Sequence, residues 1–230
     1  MASPLLANVA YDTIVKGGPI MVPILVALFI ALTVLLERSL WWLALRRRRD
    51  EAAQQGTWEA LAIGDFPRAF ELSRGSEDPF LATLHQGLIH AHGSFLGAMQ
   101  IHSTRFIASA EKRLWILSTL ITLAPLLGLM GTVLGIMHSF SFVGDAELAA
   151  SKVSGGIGEA LIATAAGLGV AILCLLPYNY FRRKLQGLRD DLELSINHTE
   201  LVVEAAKHHG HDLEVYSRQQ AIDKLSASRS

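Results

Sequence analysis

Residues 124–140 read APLLGLMGTVLGIMHSF, an apolar stretch in which small and hydroxyl side chains recur at helical spacing. On a helix, steps of four, three and four residues bring these side chains to one narrow side. They are Gly128, Thr132, Gly135 and Ser139. Small residues in this arrangement favour close packing against a second helix. The stretch therefore predicts an apolar helix with a packing seam along one side.

The same spacing returns further along the chain, in a second apolar stretch. Its members are Ala160, Thr164, Gly167 and Ala171, again with a threonine in second place. Two matched seams predict two closely packed helices, each exposing one hydroxyl. A membrane threonine can instead donate to the carbonyl four residues earlier in its own helix, and that alternative stays open. Gly131 beside the first seam, and Pro125, which removes one backbone hydrogen bond, complete the predicted packing residues.

Apolar residues are concentrated in three runs rather than spread along the 230-residue chain. They make up 51% of the residues, and the mean hydropathy of +0.35 is too high for an ordinary soluble domain. The runs lie within 19–45, 114–143 and 157–181. Each is long enough for a helix to cross a bilayer. We therefore expect an all-α membrane protein with three transmembrane helices.

Basic residues mark one side of these runs. Arg46–Arg49 follow the first run, Lys112 and Arg113 precede the second, and Arg182–Lys184 follow the third. Because basic loops are retained in the cytoplasm, the pattern predicts an external N-terminus and a cytoplasmic C-terminus. The segments outside the spans are then an external N-terminus 1–18, a cytoplasmic loop 46–113, an external loop 144–156 and a cytoplasmic tail 182–230.

The two predicted cytoplasmic segments carry helical patterns. Gly64-Asp65-Phe66-Pro67 and Ser76-Glu77-Asp78-Pro79 each place an acidic N-cap before a proline in the first helical turn. No proline interrupts the chain from Phe95 until Pro125, so we expect one unbroken helix over 95–140 that starts in the cytoplasm and enters the bilayer. The helical tail is expected to pack on the cytoplasmic part of this helix, on the extension of the first span or on a neighbouring subunit.

The sequence carries no nucleophile elbow, zinc-spaced Cys/His cluster, P-loop or dinucleotide fingerprint. His85, His90 and His92 do not share one helix face, so we expect no metal site. Cys174, within the third run, is interpreted as a packing residue. We therefore expect a protein that is not an enzyme and that uses no cofactor.

Glu159 stands at the start of the third run, after Gly155-Gly156-Ile157-Gly158. It is either a carboxylate favoured by a helix N-terminus at the outer interface, or the mouth of a polar path between the spans. A proton relay also needs a group that changes charge near the middle of the bilayer. The three runs offer hydroxyls but no central carboxylate. If the chain conducts protons, another polypeptide supplies the acid.

Two long motifs resemble the ExbB/TolQ/MotA proton-channel family, and within it the ExbB/TolQ branch. They are residues 124–140, quoted above, and 156–168, GIGEALIATAAGL, with Pro177-Tyr178-Asn179 closing the similarity. The resemblance implies a pentamer in the inner membrane of a didermal bacterium. In that family, spans two and three line a pore around a dimer of a single-span ExbD/TolR-like partner, which carries an aspartate in its span. By motif, the family's pore hydroxyls fall on Thr132 and Thr164, and its glutamate falls on Glu159.

The function implied by the resemblance is that of a channel-forming stator subunit in a proton-driven energy-transducing complex. Such a subunit couples proton flow to mechanical work on the cell envelope, to transport or to motility. The competing interpretation is a non-conducting membrane scaffold, in which the seams only pack helices. The third interpretation is a secondary transporter. It is disfavoured because three spans lack the internal repeat that transporter folds use.

Overall fold

A computed structural model of the protein describes residues 17–141 and 149–219, with side chains from 153 onward in the second range. Every regular element within these ranges is a helix. The helices are α1 (Met21–Arg47), α2 (Glu51–Ala62), α3 (Phe66–Ser73), α4 (Pro79–Ile89), α5 (Ala91–Glu111), α6 (Leu114–Phe140) and α7 (Ala149–His208). Residues 213–219 are also helical. Three helical regions, within α1, α5–α6 and α7, are long and apolar enough to cross a membrane, as the composition predicts for a multi-pass membrane protein.

The described residues form two compact units. The apolar unit contains residues 17–39, 113–141 and 149–182, and the polar unit contains residues 40–112 and 183–219. The predicted external loop 144–156 is helical from Ala149 onward, and its residues 144–148 lie outside the described ranges. Most of the predicted external N-terminus, residues 1–16, and the chain end, 220–230, also lie outside them.

Within the apolar unit, many small residues face inward and many large apolar residues face outward, although Ile24 and Leu117 are fully buried. The buried small residues include Ala27, Ala31, Ala124, Ala160 and Ala163. Phe29 on α1 is 72% exposed and Leu176 on α7 is 68% exposed, and many other large side chains are exposed with them. An apolar outer surface of this extent is unfavourable in water and suits contact with lipid. The outer surface of the apolar unit is therefore suited to a lipid bilayer.

An ion cluster joins the last part of α1 in this unit to the start of α6. The Arg38 guanidinium donates to both carboxylate oxygens of Glu37, at 3.1 and 2.6 Å. Nη1 of Arg113 lies 2.9 Å from Oε1 of the same carboxylate. The Arg38 side chain is only 4% exposed, and a buried guanidinium is tolerated only when it is paired in this way.

The expected unbroken helix over 95–140 is wrong. α5 ends at Glu111 and α6 begins at Leu114, and Arg113 between them is left-handed, with φ 71° and ψ −6°. This conformation is unfavourable for any residue with a Cβ. The ion pair of Arg113 with Glu37 is the tertiary contact that accompanies it. The expected helix start does match, because Ser94 is non-helical and the continuous part of α5 begins at Phe95.

Three aspartates cap α2, α3 and α4 of the polar unit. The side chain of Asp65 accepts a hydrogen bond from the Arg68 N–H, and that of Asp50 accepts one from the Ala53 N–H. Asp78 begins α4, with Pro79 in its first turn. The caps predicted at Asp65 and Asp78 are therefore confirmed, because an acidic side chain satisfies the free N–H groups of a first turn.

The tail of α7 contributes to the core of the polar unit. This core includes Leu61, Phe66, Leu84, Met99, Ile196 and Leu213. The indole N–H of Trp58 donates to the Thr199 hydroxyl at 3.0 Å, and that hydroxyl donates to the Ser195 carbonyl. Of the expected packing partners for the tail, the structure shows helices of the same chain, including α5.

Candidate functional site

α6 and α7 pack along a contact seam that has no room for larger side chains. The buried residues of α6 on this side are Ala124, Gly128, Gly131, Gly135 and Ser139. A Cβ added to Gly128 would lie 3.0 Å from the Cα of Thr164. One added to Gly131 would lie 2.7 Å from the Cβ of Ala163. The two backbones therefore approach as closely as small residues permit.

The two helices are antiparallel along this contact seam. A Cβ on Gly135 would lie 3.0 Å from the Cβ of Ala160, near one end of the contact. Near the other end, a Cβ on Gly167 would collide with the carbonyl oxygen of Ala124. Pro125, the next residue, lies half-buried within α6, where it removes the N–H that would bond the carbonyl four residues earlier.

Thr164 joins the two helices directly. Its hydroxyl donates to the carbonyl oxygen of Gly128 on α6 at 2.9 Å. The side chain is half-buried at the edge of the contact seam. The hydroxyl oxygen keeps lone pairs that can accept a proton or a hydrogen bond from another donor. Thr164 is therefore both a link between the helices and a polar group beside their interface.

Thr132 lies beside the contact seam rather than in it. Its hydroxyl donates to the Leu129 carbonyl of its own helix at 2.6 Å. This is a bond within the helix, as in the alternative interpretation, but to the carbonyl three residues earlier instead of four. The seam position expected for Thr132 is taken by Gly131, which is fully buried against Ala163 and Ile20. Helical periodicity admits both positions, and the residue without a Cβ allows the closer approach.

Glu159 lies half-buried next to the turn that precedes α1. A Cβ added to Gly18 would collide with the Oε1 atom of Glu159. Gly18 has φ +68°, a conformation that L side chains rarely adopt. The carboxylate thus packs against a backbone position at which only glycine fits. Sequence reasoning missed this contact, since the only local signal is the pair Gly17-Gly18 before Pro19.

Two of the three predicted pathway residues, Glu159 and Thr164, contact different parts of the apolar unit. Glu159 and Thr164 are five residues apart on α7, which is about 7.5 Å along the helix axis and about 140° around it. Thr164 consequently bonds α6, whereas Glu159 contacts the turn before α1.

The contact seam ends at a further close contact that the sequence did not single out as a pair. The buried Ser139 hydroxyl donates to the Gly135 carbonyl at 2.7 Å. A Cβ on Gly156 would collide with the Ser139 hydroxyl oxygen. Gly156 thereby lets the helical turn before Glu159 approach α6.

Two histidines of the polar unit pair with hydroxyl groups of neighbouring helices. Nδ1 of His85 lies 3.0 Å from the Ser73 hydroxyl, and Nδ1 of His102 lies 3.0 Å from the Thr83 hydroxyl. Burial lowers the pKa of both rings, and the charges of Arg74 and Arg105 respectively lower it further. Within 17–141 and 149–219, no three His, Cys, Asp or Glu side chains are grouped to hold a metal ion.

The fold and the candidate site define a class of protein. Apolar helices, a glycine-rich contact seam and hydroxyls at its edge characterise a multi-pass membrane protein with polar groups between its helices. Residues 76–194 match the MotA/TolQ/ExbB proton channel family. The match covers more than half of the chain, and the chain belongs to that family.

Named relatives agree with the ExbB/TolQ branch. The biopolymer transport protein ExbB-like 1 of Synechocystis sp. is 34% identical over 178 residues, covering 73% of this chain and 68% of that protein. The Tol-Pal system protein TolQ of Haemophilus influenzae is 41% identical over 95 residues, covering 41% of this chain and 42% of TolQ. The biopolymer transport protein ExbB of Neisseria gonorrhoeae is 48% identical over 71 residues, covering 30% and 32%.

Proposed function

We propose that this chain is the channel-forming stator subunit of an energy-transducing complex driven by the proton-motive force. It couples proton flow across a bacterial inner membrane to mechanical work on the envelope, to transport or to motility. The observation that carries the proposal is the Thr164 hydroxyl, half-buried at the α6–α7 contact seam of a proton-channel family member. Thr132 on the same seam edge and Glu159 complete the proposed pathway.

The proposed pathway needs an acid from a second polypeptide. The described acidic residues of the apolar unit are Glu37, which follows the charge-free run 20–36, and Glu159, which lies at the start of the predicted third span. We propose that a dimer of a single-span ExbD/TolR-like protein supplies an intramembrane aspartate, and that five copies of this chain surround it. The exposed apolar faces of α6 and α7 are suited to such contacts.

The proposed topology has a periplasmic N-terminus and a cytoplasmic C-terminus, because the basic residues at 46–49, 112–113 and 182–184 flank one side of the spans. The polar unit then lies in the cytoplasm. One proton crossing about 100 mV provides about 2.3 kcal/mol, which is enough to bias one step of a relative movement between subunits.

A non-conducting scaffold is the second candidate, and one observation favours it. Both threonine hydroxyls already donate to backbone carbonyls, Thr132 within α6 and Thr164 across the contact seam. In that account the hydroxyls only stabilise the helices, and protons do not pass along them.

The two candidates are separated by a matched pair of substitutions on α6. Thr132→Val keeps the shape of the side chain without the hydroxyl. Thr122→Val is the control, because the Thr122 hydroxyl also donates to a carbonyl three residues earlier. Proton uptake is measured in membrane vesicles that contain the chain and its single-span partner. The stator account predicts a large loss of uptake for Thr132→Val and none for Thr122→Val, at equal assembly.

The same assay is applied to α7. Thr164→Val removes both the proposed proton-handling group and the hydrogen bond to Gly128, whereas Thr164→Ser retains a hydroxyl for both. We expect vesicles with Thr164→Ser to take up protons. Vesicles with Thr164→Val should assemble the complex but take up no protons. Wild-type uptake by both Thr132→Val and Thr164→Val would favour the scaffold.

A further inference from the structure

The turn before α1 is held against the α6–α7 contact seam at Gly131. Ile20 packs on Gly131 of α6, since a Cβ on that glycine would lie 2.7 Å from the Ile20 Cγ2. The carbonyl of Gly18 accepts a hydrogen bond from the Met21 N–H at 3.1 Å, which closes the turn. Met21 is buried, with 5% exposure. The turn is thus a packed part of the apolar unit.

The contact of Gly18 with Glu159 requires both the backbone conformation of this glycine and its lack of a side chain. Its φ of +68° favours glycine, and a Cβ would overlap the Glu159 carboxylate. The neighbouring Gly17 differs, because its φ is ordinary and a Cβ there would meet the flexible Met21 side chain and Ile162. The contact with the carboxylate therefore depends on one glycine.

We infer that the turn 17–19 is a cover that positions the Glu159 carboxylate and shields one of its oxygens from solvent. Gly18 is accordingly a positioning residue for Glu159. The cover restricts how water or a mobile acid reaches the carboxylate. It does not cover Thr164, which contacts α6. The relevance to proton conduction rests on the proposed function, whereas the cover itself is a property of the fold.

The cover is tested by the chemical reactivity of Glu159 in the purified full chain in lipid nanodiscs. A water-soluble carbodiimide with glycine ethyl ester converts accessible carboxyl groups to amides, and mass spectrometry of peptides gives the rate at Glu159. Gly18→Ala displaces either the turn or the carboxylate, so we expect a severalfold faster reaction. Gly17→Ala is the control in the same turn, and its rate at Glu159 should equal that of the wild type.

A second control separates the collision from backbone strain. Gly75 in the polar unit also has φ +68°, but a Cβ there would meet nothing within 4 Å. Gly18→Ala should lower the thermal midpoint of the full chain more than Gly75→Ala does. In a Glu159→Ala background, which removes the colliding carboxylate, the added effect of Gly18→Ala should shrink to that of Gly75→Ala. This comparison still decides the matter if the single variant accumulates poorly.

The cover is refuted if Gly18→Ala leaves the labelling rate at Glu159 unchanged, or if Gly17→Ala raises that rate equally. It is also refuted if Gly18→Ala lowers the thermal midpoint as much in the Glu159→Ala background as in the wild type. Failure of the proposed function has a different signature. If labelling changes as expected but Glu159→Gln conducts protons like the wild type, the cover stands and the pathway role of Glu159 fails.

Discussion

Replacing Gly167 by alanine perturbs the α6–α7 contact where a new Cβ would come closest to backbone atoms of the facing helix. The added Cβ would collide with the carbonyl oxygen of Ala124 and lie 3.1 Å from both the Cα and the N of Gly128. All three neighbours are backbone atoms, so no side-chain rotation relieves the overlap. The helices must separate, and the Thr164–Gly128 hydrogen bond of 2.9 Å lengthens with them.

The magnitude follows from two costs and one gain. Overpacking of a close contact costs about 1–3 kcal/mol. A lost interhelical hydrogen bond in a membrane adds about 0.6 kcal/mol. Alanine gains about 0.5–1 kcal/mol over glycine within a helix. The net expectation for Gly167→Ala is a loss of about 1–3 kcal/mol.

Gly169 provides a matched control two residues further along α7. It is exposed, and a Cβ there would meet nothing within 4 Å. Gly169→Ala should therefore show only the helix-propensity gain, which both variants share. The expected gap between the two variants is the overpacking cost plus the lost hydrogen bond, about 1.6–3.6 kcal/mol.

Both variants are unfolded by titration with SDS in mixed micelles, followed by circular dichroism. Equal stability of the two, or a less stable Gly169→Ala chain, would refute the close packing of α6 against α7 at Gly167.

Three further predictions concern the polar unit. Asp78→Ala should destabilise the chain by about 3 kcal/mol, against about 1 kcal/mol for Asp65→Ala, in chemical denaturation. The reason is that buried Asp78 accepts from the N–H groups of Phe80 and Leu81 in its own helix, and also from the Asp50 N–H and the Gln54 side-chain amide. Asp65 only caps its own helix. Equal losses of stability in the two variants would contradict this. Because burial lowers the pKa of His85 and His102, the unfolded chain binds more protons below about pH 6.5, and stability should fall as the pH falls through that range. The slope of thermal midpoint against pH should be shallower in His102→Gln, and an unchanged slope would count against His102. Thr199→Val should lower the stability by about 1 kcal/mol because it removes the acceptor of the Trp58 indole, with Thr104→Val, whose exposed hydroxyl bonds only its own helix, as the control without loss.

Local chemistry made much of this fold predictable. The three spans follow from apolar runs, and the caps at Asp65 and Asp78 follow from an acidic residue beside a proline in the first turn. The glycine positions Gly128, Gly135 and Gly167 were predicted from their spacing, and the structure places all three at the α6–α7 contact.

The features that were not predicted depend on contacts between distant residues. The break before α6 has no proline or glycine to signal it, and it accompanies the ion pair of Arg113 with Glu37. The choice between Gly131 and Thr132 for the contact seam depends on how closely two backbones approach. The contact of Gly18 with Glu159 joins residues 141 positions apart, so no local pattern can reveal it.

The central claim is that hydroxyls of this chain conduct protons together with an acid supplied by a second polypeptide. Its most direct test is proton uptake by sealed vesicles that contain this chain alone or co-assembled with its single-span partner. The account predicts no specific uptake for the chain alone and clear uptake for the co-assembled complex. Equal uptake in both preparations, or none in either, would contradict it.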